Sequence, residues 1–111
     1  MRKTANGPAK AKKSDLSEDY IDQLIEHLKD PREAAAYLEA ALEDGDREAL
    51  LMAMRHVATA HGGMTAIAQQ TGLSRESLYR AFSKRGNPTV ATLSSVLNVT
   101  GLRLSIQPLG A

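Results

Sequence analysis

Arg75, Glu76, Tyr79 and Arg80 recur at one-, three- and four-residue spacings that, on a helix, leave them on the face away from Leu78, Ala81 and Phe82. Those side chains suit the edges of base pairs. An arginine guanidinium can bridge two acceptors of guanine, a glutamate can accept from the cytosine amino group, and a tyrosine can meet a phosphate or the thymine methyl. Lys84, Arg85 and Asn87 follow at once, in a loop suited to holding phosphate oxygens and fixing the register of the preceding helix. Thr65 and Gln69, one helix earlier, are weaker phosphate candidates. The same residues would also describe an ordinary helical hairpin with a basic exterior, so their weight depends on the elements around them.

Other chemistries find less support. His27, His56 and His61 are the only imidazoles, the last two are spaced to point to different helix faces, and no zinc-ligand motif is present. Glu39 and Glu43 share a helix face, which reads as a solvated acidic surface before it reads as an acid/base pair. Ser74 and Ser77 have no identifiable histidine and carboxylate partners. Neither a dinucleotide-binding glycine fingerprint nor a phosphate-loop lysine motif occurs. The expectation is a protein without catalysis, metal or cofactor.

The elements that must position the basic face follow from caps and apolar spacing. Ala68, Gly72 and the set Ile67, Leu73, Leu78, Ala81 and Phe82 supply the small contact residue, the turn glycine and the buried lock of a helix-turn-helix. Its helices are expected at about Met64–Thr71 and Arg75–Ser83, the second capped by Ser74. Upstream, Ser14 or Ser17 can cap a helix carrying Leu16, Tyr20, Ile21, Leu24, Ile25 and Leu28 on one stripe. Asp30-Pro31-Arg32-Glu33 has the residues of a reciprocal N-terminal cap for a second helix, with Ala34, Ala35, Tyr37, Leu38, Ala41 and Leu42 inward and Gly45 at its end. Asp46 can cap a third, with Leu50, Leu51, Met54, Val57 and Ala58 inward until Gly62-Gly63. Thr89 can cap a last one, with Leu93, Val96 and Leu97 inward until Gly101. Leu102-Arg103-Leu104-Ser105-Ile106 then alternates in the manner of a strand. A lone strand is unstable, so Leu102, Leu104 and Ile106 are expected to pair with the same strand of a second copy.

Composition agrees with this reading. One Phe, three Tyr and no Trp among 111 residues leave Ala, Leu, Ile, Val and Met to build the core, a mixture that favours helix. The expected fold is all-α, in four parts: a basic disordered tail at 1–13, an acidic helical extension at 14–45, a helix-turn-helix domain at 46–101, and a strand and tail at 102–111. The net charge of +1 conceals +5 over 1–13, −9 over 14–50 and +5 over 51–111. This polarity fits one surface for a polyanion and another for a basic partner, though solvated helix faces account for it equally well. Absence of cysteine fits a reducing compartment, and no apolar run approaches the roughly 18 residues of a membrane helix. The expected setting is the cytoplasm, at the nucleoid.

The run AAAYLEAALEDGD, then HGGMTAIAQQTGLSRESLYRAFSKRGNPTVATL, and finally GLRLSI resemble the addiction-module antidote proteins. These are Xre-type helix-turn-helix antitoxins similar to the HigA group of bacterial type II toxin–antitoxin modules, and the resemblance covers roughly 18–106. It implies an Xre or lambda-repressor-like helical bundle, a homodimer on double-stranded operator DNA, repression of its own operon, and neutralisation of a small basic toxin of the RelE/ParE type. A stand-alone regulator without a toxin, or an interaction module that only retains the helix-turn-helix, remain the alternatives. On the toxin reading, the acids at 15–44 and Tyr20, Leu28 or Tyr37 would form the contact surface.

Overall fold

The computed structural model describes residues 17–110. The basic segment 1–13, Ser14 and Leu16 lie outside the described residues. Six helices follow one another: α1 (Glu18–His27), α2 (Pro31–Asp44), α3 (Arg47–Ala60), α4 (Gly63–Thr71), α5 (Arg75–Ala81) and α6 (Val90–Val99).

Short polar side chains start five of them. Ser17 Oγ accepts from the Tyr20 amide at 3.1 Å, Ser74 Oγ from Ser77 at 3.0 Å and Thr89 Oγ1 from Thr92 at 3.0 Å. Asp46 caps α3 through the Glu48 amide at 3.0 Å. Each bond satisfies an amide that the first turn leaves without a helical acceptor. Asp30 caps α2 by accepting from the Arg32 amide at 2.9 Å, but the reciprocal arm from Glu33 does not form. The amide it would take, that of Asp30, already donates to the His27 carbonyl at 3.1 Å.

α3 is the hub. α1, α2 and α4 pack on it, and α4 in turn receives α5 and α6. One continuous core results, built from Leu24 and Leu28 of the α1 segment, Ala34 and Leu38 of α2, Leu51, Met54 and Val57 of α3, Ile67 of α4, Leu78 and Phe82 around α5, and Val96 and Leu97 of α6. The acidic N-terminal helices and the C-terminal helices that carry the basic face therefore share a single interior. Leu42 was expected inside and is instead 56% exposed. Residues four apart precess by about 40° around a helix, so Ala34, Leu38 and Leu42 turn progressively off the buried face while Ala41 returns to it.

Two helix bounds and one element differ from expectation. α4 begins at Gly63, one residue early, and α5 ends at Ala81 rather than Ser83, because Phe82 leaves the helical region at φ −105°, ψ 13°. Among the described residues there is no strand: 102–107 form neither helix nor sheet. A strand exists only through its ladder, and the single chain offers this segment nothing to pair with. Leu102 is also more committed than expected. Its amide donates to the Leu97 carbonyl at 2.9 Å, and its side chain packs against the chain's own core, which leaves Leu104 at 42% and Ile106 at 99% exposure.

Candidate nucleic-acid interface

The turn between α4 and α5 is fixed from both sides. Gly72 takes φ +78°, a left-handed conformation that side chains disfavour, and its amide closes α4 onto the Ala68 carbonyl at 2.9 Å. Thr71 Oγ1 donates to Ile67 O at 2.8 Å and accepts from the Leu73 amide at 3.2 Å, tying the turn to the helix it leaves. Leu78 and Phe82 are fully buried, pinning α5 along one side. Seven residues could not hold a helix in water, so α5 depends on this packing.

What remains outside is the expected face. Arg75, Glu76, Tyr79 and Arg80 are all exposed, Tyr79 at 56%, as are Arg85 and Asn87 in the loop and Thr65 and Gln69 on α4. Arg80, Arg85 and Asn87 meet in an open groove of about 470 Å³ between α5, the loop and the start of α6. Ser77, Thr89 and Thr92 line the same groove, with the Thr89 hydroxyl 3.1 Å from that of Thr92. Residue types alone do not place these three at the site: Ser77 reads as a nucleophile without partners and Thr89 as a helix cap. Arg75, Glu76, Tyr79, Lys84, Thr65 and Gln69 lie outside the groove. Lys84, exposed, approaches half-buried Glu48 of α3 at 3.8 Å, a long pair of small energetic weight.

The loop is held in place by a contact only glycine allows. A Cβ on buried Gly86 would fall 2.0 Å from the Ala81 carbonyl oxygen and 2.6 Å from that of Arg80, so any side chain would drive the loop off the end of α5. The Gly86 amide donates to Ser83 O at 2.8 Å, and Ser83 Oγ donates to Arg80 O at 2.8 Å. A glycine inside a run of basic residues was the available signal for this close approach.

The histidines are scattered. His56 Nδ1 lies 2.8 Å from the Tyr37 hydroxyl, His61 Nδ1 lies 3.1 Å from the Val57 carbonyl, and His27 is exposed at the end of α1. Burial, then the neighbouring Arg55 charge, pulls the His56 pKa below its ordinary value. Burial, then Tyr20, pushes Tyr37 up to about 12. Among the described residues no group of His, Asp and Glu could hold a metal ion, and no helix is long and apolar enough to cross a membrane. The acids of α1 and α2, with Glu39 and Glu43 among them, are exposed.

The described residues thus make a small helical protein in which a short, pinned helix presents an exposed basic face. The chain matches, over residues 19–108, the family model described as "Probable addiction module antidote protein", and it belongs to that family. It is also 39% identical over 84 residues, 76% of this chain and 86% of the other, to a protein of Haemophilus influenzae (strain ATCC 51907 / DSM 11121 / KW20 / Rd) that carries the name "Uncharacterized protein". No solved structure matches it. Family membership supports an antitoxin role and implies a toxin as partner.

Proposed function

We propose that this antidote-family chain is a sequence-specific DNA-binding antitoxin that acts as a homodimer, represses its own operon and neutralises a small basic toxin of the RelE/ParE type. The observation that carries the DNA reading is the outward face of α5, where Arg75, Glu76, Tyr79 and Arg80 stand exposed while Leu78 and Phe82 are buried beneath them. On this reading α4 and α5 form a helix-turn-helix of the Xre type. α5 enters the major groove, Arg75 and Arg80 read bases, and Arg85, Asn87, Thr65 and Gln69 hold phosphates. Lys84 adds a phosphate contact at the expense of its weak pairing with Glu48.

Leu104 and Ile106, with Leu102 at the root of the segment, support a two-copy ribbon, since an exposed alternating stretch without backbone partners is a ready template for a second strand. A two-fold dimer presents two α5 helices to successive major grooves, so the operator is an inverted repeat with half-sites about 34 Å apart. The acidic surface of α1 and α2 is the side offered to the toxin.

The test is selection of bound fragments from random duplexes, followed by titration of the selected site. Arg75→Ala or Arg80→Ala should weaken specific binding by about 1–3 kcal/mol and relax preference at one base pair. Arg85→Ala should weaken all sequences alike and flatten the salt dependence. Unchanged affinity and preference in both α5 variants would remove α5 as the reading helix. Co-expression with the neighbouring reading frame tests the second half: a stoichiometric complex and rescued growth support the antitoxin reading, whereas no complex and no toxicity leave a stand-alone regulator.

A further inference from the structure

We infer that Arg55, which reaches the end of α5 from α3, is a positioning residue that sets the orientation of α5. The inference rests on α5 being the reading helix. Its Nη1 donates to the backbone carbonyl of Phe82 at 2.5 Å, across 27 residues of sequence.

That carbonyl is a particular one. Phe82 is the C-terminal cap of α5, one residue past Ala81, so its oxygen has no later amide of the helix to accept from. Neighbouring carbonyls find local partners: Arg80 O takes the Ser83 amide and hydroxyl, and Ser83 O takes the Gly86 amide. Phe82 O takes a guanidinium from another helix instead. A cation at that point also lies at the negative end of the helix, where it is favoured.

At this end burial of Phe82 and the abutting loop hold the helix, and Arg55 joins them from another helix. α5 packs chiefly on α4, and its apolar anchors, Leu78 and Phe82, fix its depth against the core. Two apolar anchors a turn apart still allow the helix to pivot. Arg55 adds a directional bond from a third helix at the C-terminal end, beside the point where Gly86 brings the basic loop against the Ala81 carbonyl. Because the loop and the end of α5 are in contact, the same bond keeps Arg85 and Asn87 in register with Arg80. Base reading requires donors placed to within about half an ångström, which makes a tether at this position a condition of specificity rather than of bulk affinity.

The experiment compares wild type, Arg55→Ala and Arg55→Lys, each first shown by circular dichroism to be folded at the working temperature. Two readouts are taken: amide exchange in the free protein, and binding to the selected duplex and to a scrambled one across a salt series. In Arg55→Ala the amides of Phe82, Ser83 and Gly86 should exchange at least about tenfold faster relative to those of α3 and α6. Specific affinity should fall about tenfold, the loss of a charge-assisted hydrogen bond. Binding to the scrambled duplex and the salt slope should stay as in wild type, because Arg55 neutralises no phosphate. Arg55→Lys, which keeps the charge and a donor, should recover part of both effects. Unaltered exchange, or equal losses on both duplexes, would overturn the inference. If wild type itself binds no duplex, the DNA reading fails, and the exchange pattern still decides whether Arg55 holds α5.

Discussion

The hydroxyls of two tyrosines set a contrast that stability measurements can resolve. Tyr37 OH is bonded to His56, whereas among the described residues Tyr20 OH is closed off from solvent with no hydrogen-bond partner. A buried polar group without a bond carries its desolvation penalty uncompensated, and a paired one does not. Tyr20→Phe should therefore be neutral or stabilising by up to about 1 kcal/mol, and Tyr37→Phe destabilising by about 0.5–1.5 kcal/mol. Urea unfolding of the two variants decides it, and a larger loss in Tyr20→Phe would contradict the assignment. His56 adds a pH dependence. Its folded pKa lies below the unfolded value of about 6.5, so its contribution to stability is present above that pH and lost as pH falls through the folded pKa. Between about pH 7.5 and 5.5 the urea midpoint of wild type should fall further than that of His56→Gln, and parallel curves would reject the linkage. None of these pairings could be read from spacing, because Tyr37 and His56 lie 19 residues apart on different helices.

At the scale of elements, helix starts were legible and long-range ties were not. Ser17, Asp30, Asp46, Ser74 and Thr89 cap as their residue types require, since a cap is a contact between residues two or three apart. The outward set on α5 was legible for the same local reason: Leu78 and Phe82 fix which side faces in. Arg55 and Gly86 were missed because their roles depend on which helices come together. The C-terminal segment is a third case, where alternation is visible in the sequence but the ladder needs another chain. If two copies pair antiparallel about Leu104, then Leu102 faces Ile106 of the partner subunit, Arg103 avoids its own copy, and Pro108, lacking an amide, falls outside the ladder. The chain has no cysteine, so single cysteines report without background. Leu104→Cys should form a disulfide-linked dimer under mild oxidation, while Arg103→Cys alone should not, since diagonal positions exceed the roughly 7 Å limit between Cα atoms. Cross-linking at neither position, with monomer mass in sedimentation, would dismiss the ribbon.

At the scale of the whole molecule, the charge polarity becomes a statement about simultaneous binding. The acids belong to α1 and α2, which pack on α3, and the basic face belongs to α5 and its loop, which rest on α4. The two surfaces thus belong to different helices that pack on different partners. On the proposed reading a toxin seated on the acidic side would leave α5 clear. On that reading the α5 surface would also repel a basic toxin, so that docking there would be disfavoured by like charge. The proposed function therefore predicts that operator and toxin bind together, and that a ternary complex sediments above either binary one. Reciprocity makes this checkable from both ends: if operator DNA changes toxin affinity by some factor, toxin must change operator affinity by the same factor. A factor near one is expected for independent surfaces. Mutual exclusion would move the toxin onto α5, and Arg75→Ala and Arg80→Ala would then weaken toxin binding together with operator binding.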